Sequence, residues 1–161
     1  MEWHFSFIGL IFLLMLFIPN GLWTKRMPQG YEKYSKNENK VLLILERIGQ
    51  VLVTFFALFY FAPVGRGGKW WILLLVAACA LMVLYEVFWI SYFASERRMK
   101  DYYRSMLGIP LPGATLPVAA FALLAVYEFH PILLISVIVL GIGHIGIHWG
   151  HYREAVAEMK G

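Results

Sequence analysis

Five long apolar runs, separated by short polar stretches, dominate the pattern of this chain. They cover residues 3–23, 41–62, 70–94, 113–127 and 131–150. A helix needs about 20 apolar residues to cross the hydrocarbon core of a bilayer, and only the fourth run is clearly shorter. The pattern predicts an all-α, polytopic integral membrane protein that folds as a five-helix transmembrane bundle. Residues 1–161 are predicted to form a single domain.

Lysine and arginine residues fall mainly on alternate connections between these runs. Eleven follow the first, third or fifth run, whereas only Arg66 and Lys69 lie in the connections on the other side. Cytoplasmic loops of membrane proteins carry an excess of Lys and Arg. The sequence therefore predicts a multi-pass protein of the cell membrane, with its N-terminus outside and its C-terminus in the cytoplasm.

The composition favours a lipid environment over a soluble one. The sequence is 60% hydrophobic and 15% charged, whereas soluble domains carry roughly 25% charged residues. Its net charge of +4 lies in short segments beside the apolar runs. This placement favours the lipid bilayer as a partner and argues against nucleic acid. Cys79 is the only cysteine, so no intrachain disulfide can form.

Residues 95–107 are predicted to extend the third helix into the headgroup region of the membrane. The arginines of this segment, Arg97, Arg98 and Arg104, are candidate ligands for a lipid headgroup phosphate. The alternative is that the cations and tyrosines of the segment only anchor the helix at the membrane interface.

Three histidines share one face at the end of the fifth run. His144, His148 and His151 fall within about 60° of arc on a helix that turns about 100° per residue. Ionisable groups inside a membrane are costly and commonly functional. Imidazole is a preferred ligand of Zn, Cu, Fe and Ni. His144 and His148 are therefore the first-choice ligands of a divalent transition metal such as Zn, with His151 as a further candidate.

Two glutamates are predicted to lie at the depth of these histidines. A rise of about 1.5 Å per residue places His144 and Glu86 each about 13 Å from the cytoplasmic ends of their helices. The same rise places Glu46 about 9 Å into the second helix. Glu46 and Glu86 are therefore candidate catalytic residues, and Glu86 is also a candidate metal ligand.

The sequence leaves three functions open. The first is metal-assisted chemistry on a lipid-like substrate, at a His/Glu site in the cytoplasmic half of the bundle. The second is a small proton- or ion-coupled transporter, in which Glu86 and the histidines pass protons or cations. The third is a non-catalytic membrane scaffold or subunit, with the glycine face of the fifth run as its contact.

The run HIGIHW, residues 144–149, is similar to histidine-bearing stretches in membrane helices of b-type cytochrome-like proteins. This resemblance points to haem as a cofactor. Haem would also require an axial ligand from a facing helix or an open position, and no second span carries a histidine at this depth. The sequence therefore favours a divalent metal over haem.

Glycines form a second stripe on the fifth run. Gly143, Gly146 and Gly150 lie well away from the histidine face, and small residues at this spacing let a neighbouring helix approach closely. That neighbour is either another helix of the same chain or a second copy in a homodimer. Glu128 and His130, in the turn before this run, are expected to be exposed to solvent.

Overall fold

The structure is a computed structural model that describes residues 4–36, 38–60 and 68–160. Arg66, which was counted in the charge pattern, lies outside the described residues. The described residues form seven helices: α1 (Phe7–Trp23), α2 (Tyr31–Ser35), α3 (Lys40–Phe56), α4 (Ile72–Phe93), α5 (Met99–Tyr102), α6 (Pro112–Tyr127) and α7 (Pro131–Lys160). The predominantly helical character that the sequence predicts is confirmed.

Two very short strands accompany the helices. Strand β1 (His4–Phe5) pairs antiparallel with strand β2 (Phe59–Tyr60). They join the chain just before α1 to the chain just after α3, so the first residue of α1 and the last of α3 lie at the same end of the molecule.

Five of the helices, α1, α3, α4, α6 and α7, overlap the five predicted apolar runs, and α7 continues beyond its run to Lys160. Helix α4 and the Pro131–Glu158 part of α7 are long and apolar enough to cross a membrane, by length and composition. Helices α1 and α6 are apolar but shorter, at 17 and 16 residues. Among the described residues, two of the five predicted spans therefore meet the criteria for a membrane-spanning helix.

Side-chain caps and prolines explain where several helices begin. The Ser6 hydroxyl accepts a hydrogen bond from the Gly9 N–H at the start of α1. Asn39 likewise accepts from the first N–H groups of α3. Such caps satisfy backbone donors that have no partner inside the helix. Pro112 occupies the first position of α6, where its missing N–H costs nothing.

The prediction that residues 95–107 extend the third helix is wrong. Helix α4 ends at Phe93, and Arg97 has a left-handed backbone φ of 55° that stops helical continuation. The Arg98 N–H then donates to Asp101 Oδ2 at 2.9 Å, which starts the short helix α5. The segment therefore folds back over the end of the bundle instead of projecting from it.

The long helices pack in a row. Helix α3 contacts α7, α7 contacts α6, and α6 contacts α4, while α1 lies against α4 and α6. Large side chains fill the core between these helices, including Tyr85, Trp89 and Phe121. At one end of the bundle, Trp23 stacks on Tyr102 with ring centroids 5.7 Å apart. This end also holds the three segments that carry most of the Lys and Arg residues, residues 24–36, 95–104 and 153–158, and we call it the basic end.

Glycines allow α3 and α7 to approach each other closely. A Cβ atom on Gly143 would lie 2.4 Å from the backbone nitrogen of Glu46, and one on Gly49 would lie 2.5 Å from Cα of Leu140. A Cβ on Gly146 would lie 3.0 Å from Cδ1 of the Leu42 side chain. The stripe of Gly143 and Gly146 is therefore covered by α3 of the same chain. A Cβ on Gly150 would meet nothing within 4 Å, so Gly150 alone of the stripe is uncovered.

This packing predicts opposite effects for two glycine substitutions on α7. Gly143→Ala forces α3 away from α7 and should lower the free energy of unfolding by about 1–3 kcal/mol. Gly150→Ala meets no neighbour and should raise stability by up to about 1 kcal/mol, because Ala is the better helix former. Thermal unfolding in a neutral detergent measures both variants, and equal midpoints for the two would contradict the packing.

Candidate functional site

A cavity of about 620 Å³ lies between α1, α3, α6 and α7. Its deeper wall is apolar and includes Val53, Phe121, Val137 and Leu140. Toward the basic end the lining becomes polar, with Asn20, Tyr31, Glu38, Glu46, Arg47, Gln50, Tyr102, His144 and His148. One space thus presents an apolar region and an ionisable region to the same occupant.

Glu46 and His144 form a close polar pair in the wall of the cavity. Oε1 of Glu46 lies 2.6 Å from Nδ1 of His144, and the two side chains are only 12% and 23% exposed. The backbone contact of Gly143 with Glu46 brings the neighbouring His144 within reach. A carboxylate at Nδ1 fixes the orientation of an imidazole ring and its tautomer, which leaves Nε2 available to a ligand.

His148 lies directly behind this pair. Its ring centroid is 4.6 Å from that of His144. Its Nδ1 atom lies 3.2 Å from the hydroxyl oxygen of Tyr103, which comes from the segment after α5. Tyr102 closes the other side of the ring at 5.9 Å between centroids. His148 is therefore held by the basic end of the bundle as well as by its own helix.

His151 continues the series toward the end of α7. Its ring centroid lies 5.9 Å from that of His148, and its Nε2 atom lies 3.4 Å from Oε1 of Glu38. The ring of Tyr31 meets it edge-on at 5.4 Å. Burial and the nearby Glu46 carboxylate raise the pKa of Glu38, and the Arg47 guanidinium partly offsets this.

Five ionisable side chains thus form one continuous row from the cavity to the basic end: Glu46, His144, His148, His151 and Glu38. We call this set the histidine row. The sequence identified four of its members and did not identify Glu38. Glu38 directly precedes Asn39, the residue that caps α3, and lies before the apolar run 41–62, so neither hydrophobic period nor depth indicated it. Nothing in the sequence indicated that Tyr103 contacts the histidines, because residues 95–107 were expected to extend the third helix.

Glu86 lies apart from the histidine row. It is on α4, which packs against α6 and α1, and it does not line the cavity. Its Oε1 atom is buried without a hydrogen-bond partner among the described residues. The structure therefore brings Glu46 together with the histidines but does not bring Glu86 to them, and the catalytic and metal roles of Glu86 remain predictions.

The three arginines of residues 95–107 lie at the basic end. Arg98 pairs with Glu96, and its Nε atom is 3.8 Å from Oδ2 of Asp101. Arg104 donates to the hydroxyl of Ser91 on α4. Arg97 is exposed. Two of the three therefore contact protein groups, and their binding of a lipid headgroup remains a prediction.

The expectation that Glu128 and His130 are exposed to solvent is wrong, because each is 2% exposed. The Ser6 hydroxyl donates a hydrogen bond to Oε1 of Glu128 at 2.6 Å. Phe129, between them, has a φ of 51° and stacks its ring on Trp71 at 4.6 Å. This turn directs the two polar side chains inward, at the end of the bundle opposite the basic end.

Metal ligands were predicted at His144, His148, His151 and Glu86. Within the described part of the chain, no group of three or more His, Cys, Asp and Glu side chains is placed to hold a metal ion. Comparison with protein-family models, with curated proteins and with solved structures gives no match to the chain. The geometry of the cavity and the histidine row is therefore the basis for a functional proposal.

The buried Glu128 predicts a pH-dependent stability. Burial raises the pKa of Glu128 to about 7, partly offset by the Ser6 hydrogen bond. A carboxyl whose pKa is higher in the folded protein stabilises the fold at low pH, and this contribution declines as the pH rises toward 7. The effect amounts to at most about 3 kcal/mol. The melting temperature of Glu128→Gln minus that of the unchanged protein should therefore be larger at pH 8 than at pH 5.

Thermal unfolding at both pH values measures this gain. Glu32→Gln, at an exposed carboxyl on α2, is the matched control and should show no such gain. A melting-temperature difference between Glu128→Gln and the unchanged protein that is the same at pH 5 and pH 8 would contradict the assignment.

Proposed function

We propose that the chain is a five-span membrane protein that binds an amphiphile in its cavity and uses the Glu46–His144 pair as an acid–base group on the polar part of that molecule. In this proposal the protein lies in the cell membrane, with its N-terminus outside. The basic end then lies at the cytoplasmic face, and the histidine row lies in the cytoplasmic half of the bundle.

The outer surface of the helices supports the membrane assignment. Large apolar side chains are exposed on α1, α3, α4 and α7, for example Ile18 at 60%, Val51 at 70%, Ile90 at 68% and Ile135 at 61%. Soluble monomers rarely expose apolar patches of this extent, whereas a bilayer accepts them. Helices of 16 or 17 residues extend roughly 25 Å, which approaches the thickness of the hydrocarbon core.

The two-part lining of the cavity supports an amphiphilic ligand. A hydrocarbon chain would lie against Phe121, Val137 and Leu140, while its polar group would reach Glu46 and His144. Ligand sites are commonly apolar with a few convergent polar groups that fix orientation. Molecules of this kind are dissolved in the membrane that surrounds the helices.

The Glu46–His144 contact is the observation that carries the acid–base role. When Nδ1–H donates to the Glu46 carboxylate, Nε2 has a free electron pair and can accept a proton from the ligand. The carboxylate then stabilises the imidazolium that forms. His148 and His151 continue the series of titratable groups from this pair to Glu38 at the basic end.

Binding in the cavity is tested by filling it from α3. Thr54 is a half-buried residue of the cavity wall, and Thr54→Trp should displace the amphiphile. Ile48, on the same helix, is 49% exposed on the outer surface, so Ile48→Trp is the matched control. Mass spectrometry of lipids that co-purify with the protein should show one species lost in Thr54→Trp and retained in Ile48→Trp. The same lipid content in both variants would argue against a cavity ligand.

The acid–base role predicts that substitution at the pair blocks turnover of the ligand. Lipid extracts from cells producing His144→Ala or Glu46→Gln should accumulate an amphiphile that cells with the unchanged protein convert. Glu154→Gln, at an exposed carboxyl on α7 that does not line the cavity, is the matched control. Identical lipid profiles in all strains would remove the catalytic role.

Elemental analysis separates acid–base chemistry from the metal-assisted chemistry that the sequence also favoured. The protein purified without chelators should contain no stoichiometric transition metal. If it contains one that is lost in His148→Ala, then His144 and His148 are metal ligands, and the acid–base assignment of His144 is overturned.

A further inference from the structure

Helices α1 and α3 meet at the end of the bundle opposite the basic end, which we call the closed end. At the closed end, the Ser6 N–H donates to the Leu58 carbonyl at 2.8 Å, and a Cβ on Gly9 would lie 1.7 Å from the Ala57 carbonyl oxygen. Toward the basic end, the cavity separates the two helices. Helices α6 and α7 form its back wall, which leaves the gap between α1 and α3 and the basic end as the sides on which the cavity meets its surroundings.

Exposed residues of the cavity lining lie on both of these sides. Phe17 on α1 is 49% exposed, and Arg47 on α3 is also exposed. The basic end carries the exposed lining residues Thr24, Met27, Glu32 and Ser35. The outward neighbours of Arg47 on its helix, Ile44 and Ile48, are apolar and about half exposed. The mouth between α1 and α3 thus opens on an apolar surface, with one guanidinium at its edge.

Arg47 is a cation without an ion-pair partner among the described residues. Its guanidinium donates only to the Gln50 side chain, at 3.4 Å. Glu46 and Glu38, on the cavity wall, contact His144 and His151 instead, and Arg47 acts on Glu38 only at longer range. Arg47 lies seven residues after Lys40, about 10 Å along α3. A charge at this depth is costly and is expected to have a partner.

We propose that the ligand of the cavity carries an anionic head, a carboxylate or a phosphate, and enters sideways from the membrane between α1 and α3, where Arg47 and Gln50 bind that head. This inference rests on the proposed function, since it specifies the amphiphile. Guanidinium groups bind both anions through paired N–H donors. The head then lies beside the Glu46–His144 pair, with the hydrocarbon chain against the apolar wall.

The test uses a fatty acid brominated on the carbon next to its carboxyl group, toward the basic end where Trp23 lies, and the methyl ester of the same acid, which differ only in the charge of the head. Bromine quenches tryptophan fluorescence on contact, and Trp23 lines the cavity. With the full chain in a neutral detergent, both probes should quench saturably, the acid at least about tenfold more tightly than the ester. The saturable quenching should be lost in Trp23→Phe.

Two arginine variants locate the anion. Arg47→Gln should bring the acid down to the affinity of the ester, while unchanged ester binding shows that the cavity is intact. Arg104→Gln, at a basic-end arginine that contacts Ser91 and does not line the cavity, is the control and should retain the preference. Competition by dodecyl phosphate against the brominated acid ranks phosphate against carboxylate heads.

The outcomes distinguish this inference from the proposed function. Equal binding of acid and ester overturns the anionic head but leaves an amphiphile in the cavity. If Arg47→Gln and Arg104→Gln lose the preference for the acid over the ester equally, the anion is attracted by the general positive charge of the surface. This result also overturns the inference. No saturable quenching by either probe contradicts the proposed function itself.

Discussion

The close approach of α3 and α7 is the contact on which the site depends. Neither helix has a side chain at the points of closest packing, Gly49 and Gly143, so the two backbones nearly touch. At this separation the Glu46 side chain reaches His144, the residue next to Gly143. A larger residue in place of either glycine would separate the carboxylate from the imidazole. The glycine stripe thus has a chemical consequence, because it sets the geometry of the ionisable pair.

Hydrophobic pattern and helical spacing predicted a large part of this arrangement. They identified the positions of five helices, the common face of His144, His148 and His151, and the common level of Glu46 and His144 along the bundle. They could not place Glu86, because depth along a helix gives no rotation about the axis and no order of neighbours. Helix α4 is apolar on nearly all sides, with Val83 and Val87 exposed, so its sequence shows no inward face. Only packing decides that α4 lies beside α6 and α1.

The connections were less predictable than the helices for a related reason. Glu38 and Tyr103 reach the histidine row from chain segments that have no hydrophobic period. Arg97 and Phe129 have left-handed backbone conformations that no spacing rule predicts for such residues. Each of these turns moves polar side chains from an expected exposed position to a contact. The missed residues of the site are therefore the ones placed by loops.

The walls of the cavity are held with unequal strength, which bears on how a ligand reaches it. Moving α3 away from α7 would open the glycine contacts and separate Glu46 from His144. Helix α1 has a smaller interface, with α4 and α6, and is fixed by discrete contacts such as Ser6 with Glu128 and Asn20 with the Tyr85 hydroxyl at 3.1 Å. Displacing the half of α1 nearer the basic end costs the Asn20 contact and the stacking of Trp23 on Tyr102, and it leaves both the Ser6 contact and the histidine row intact. Helix α1 is thus the wall whose movement can admit a ligand without dismantling the chemistry inside.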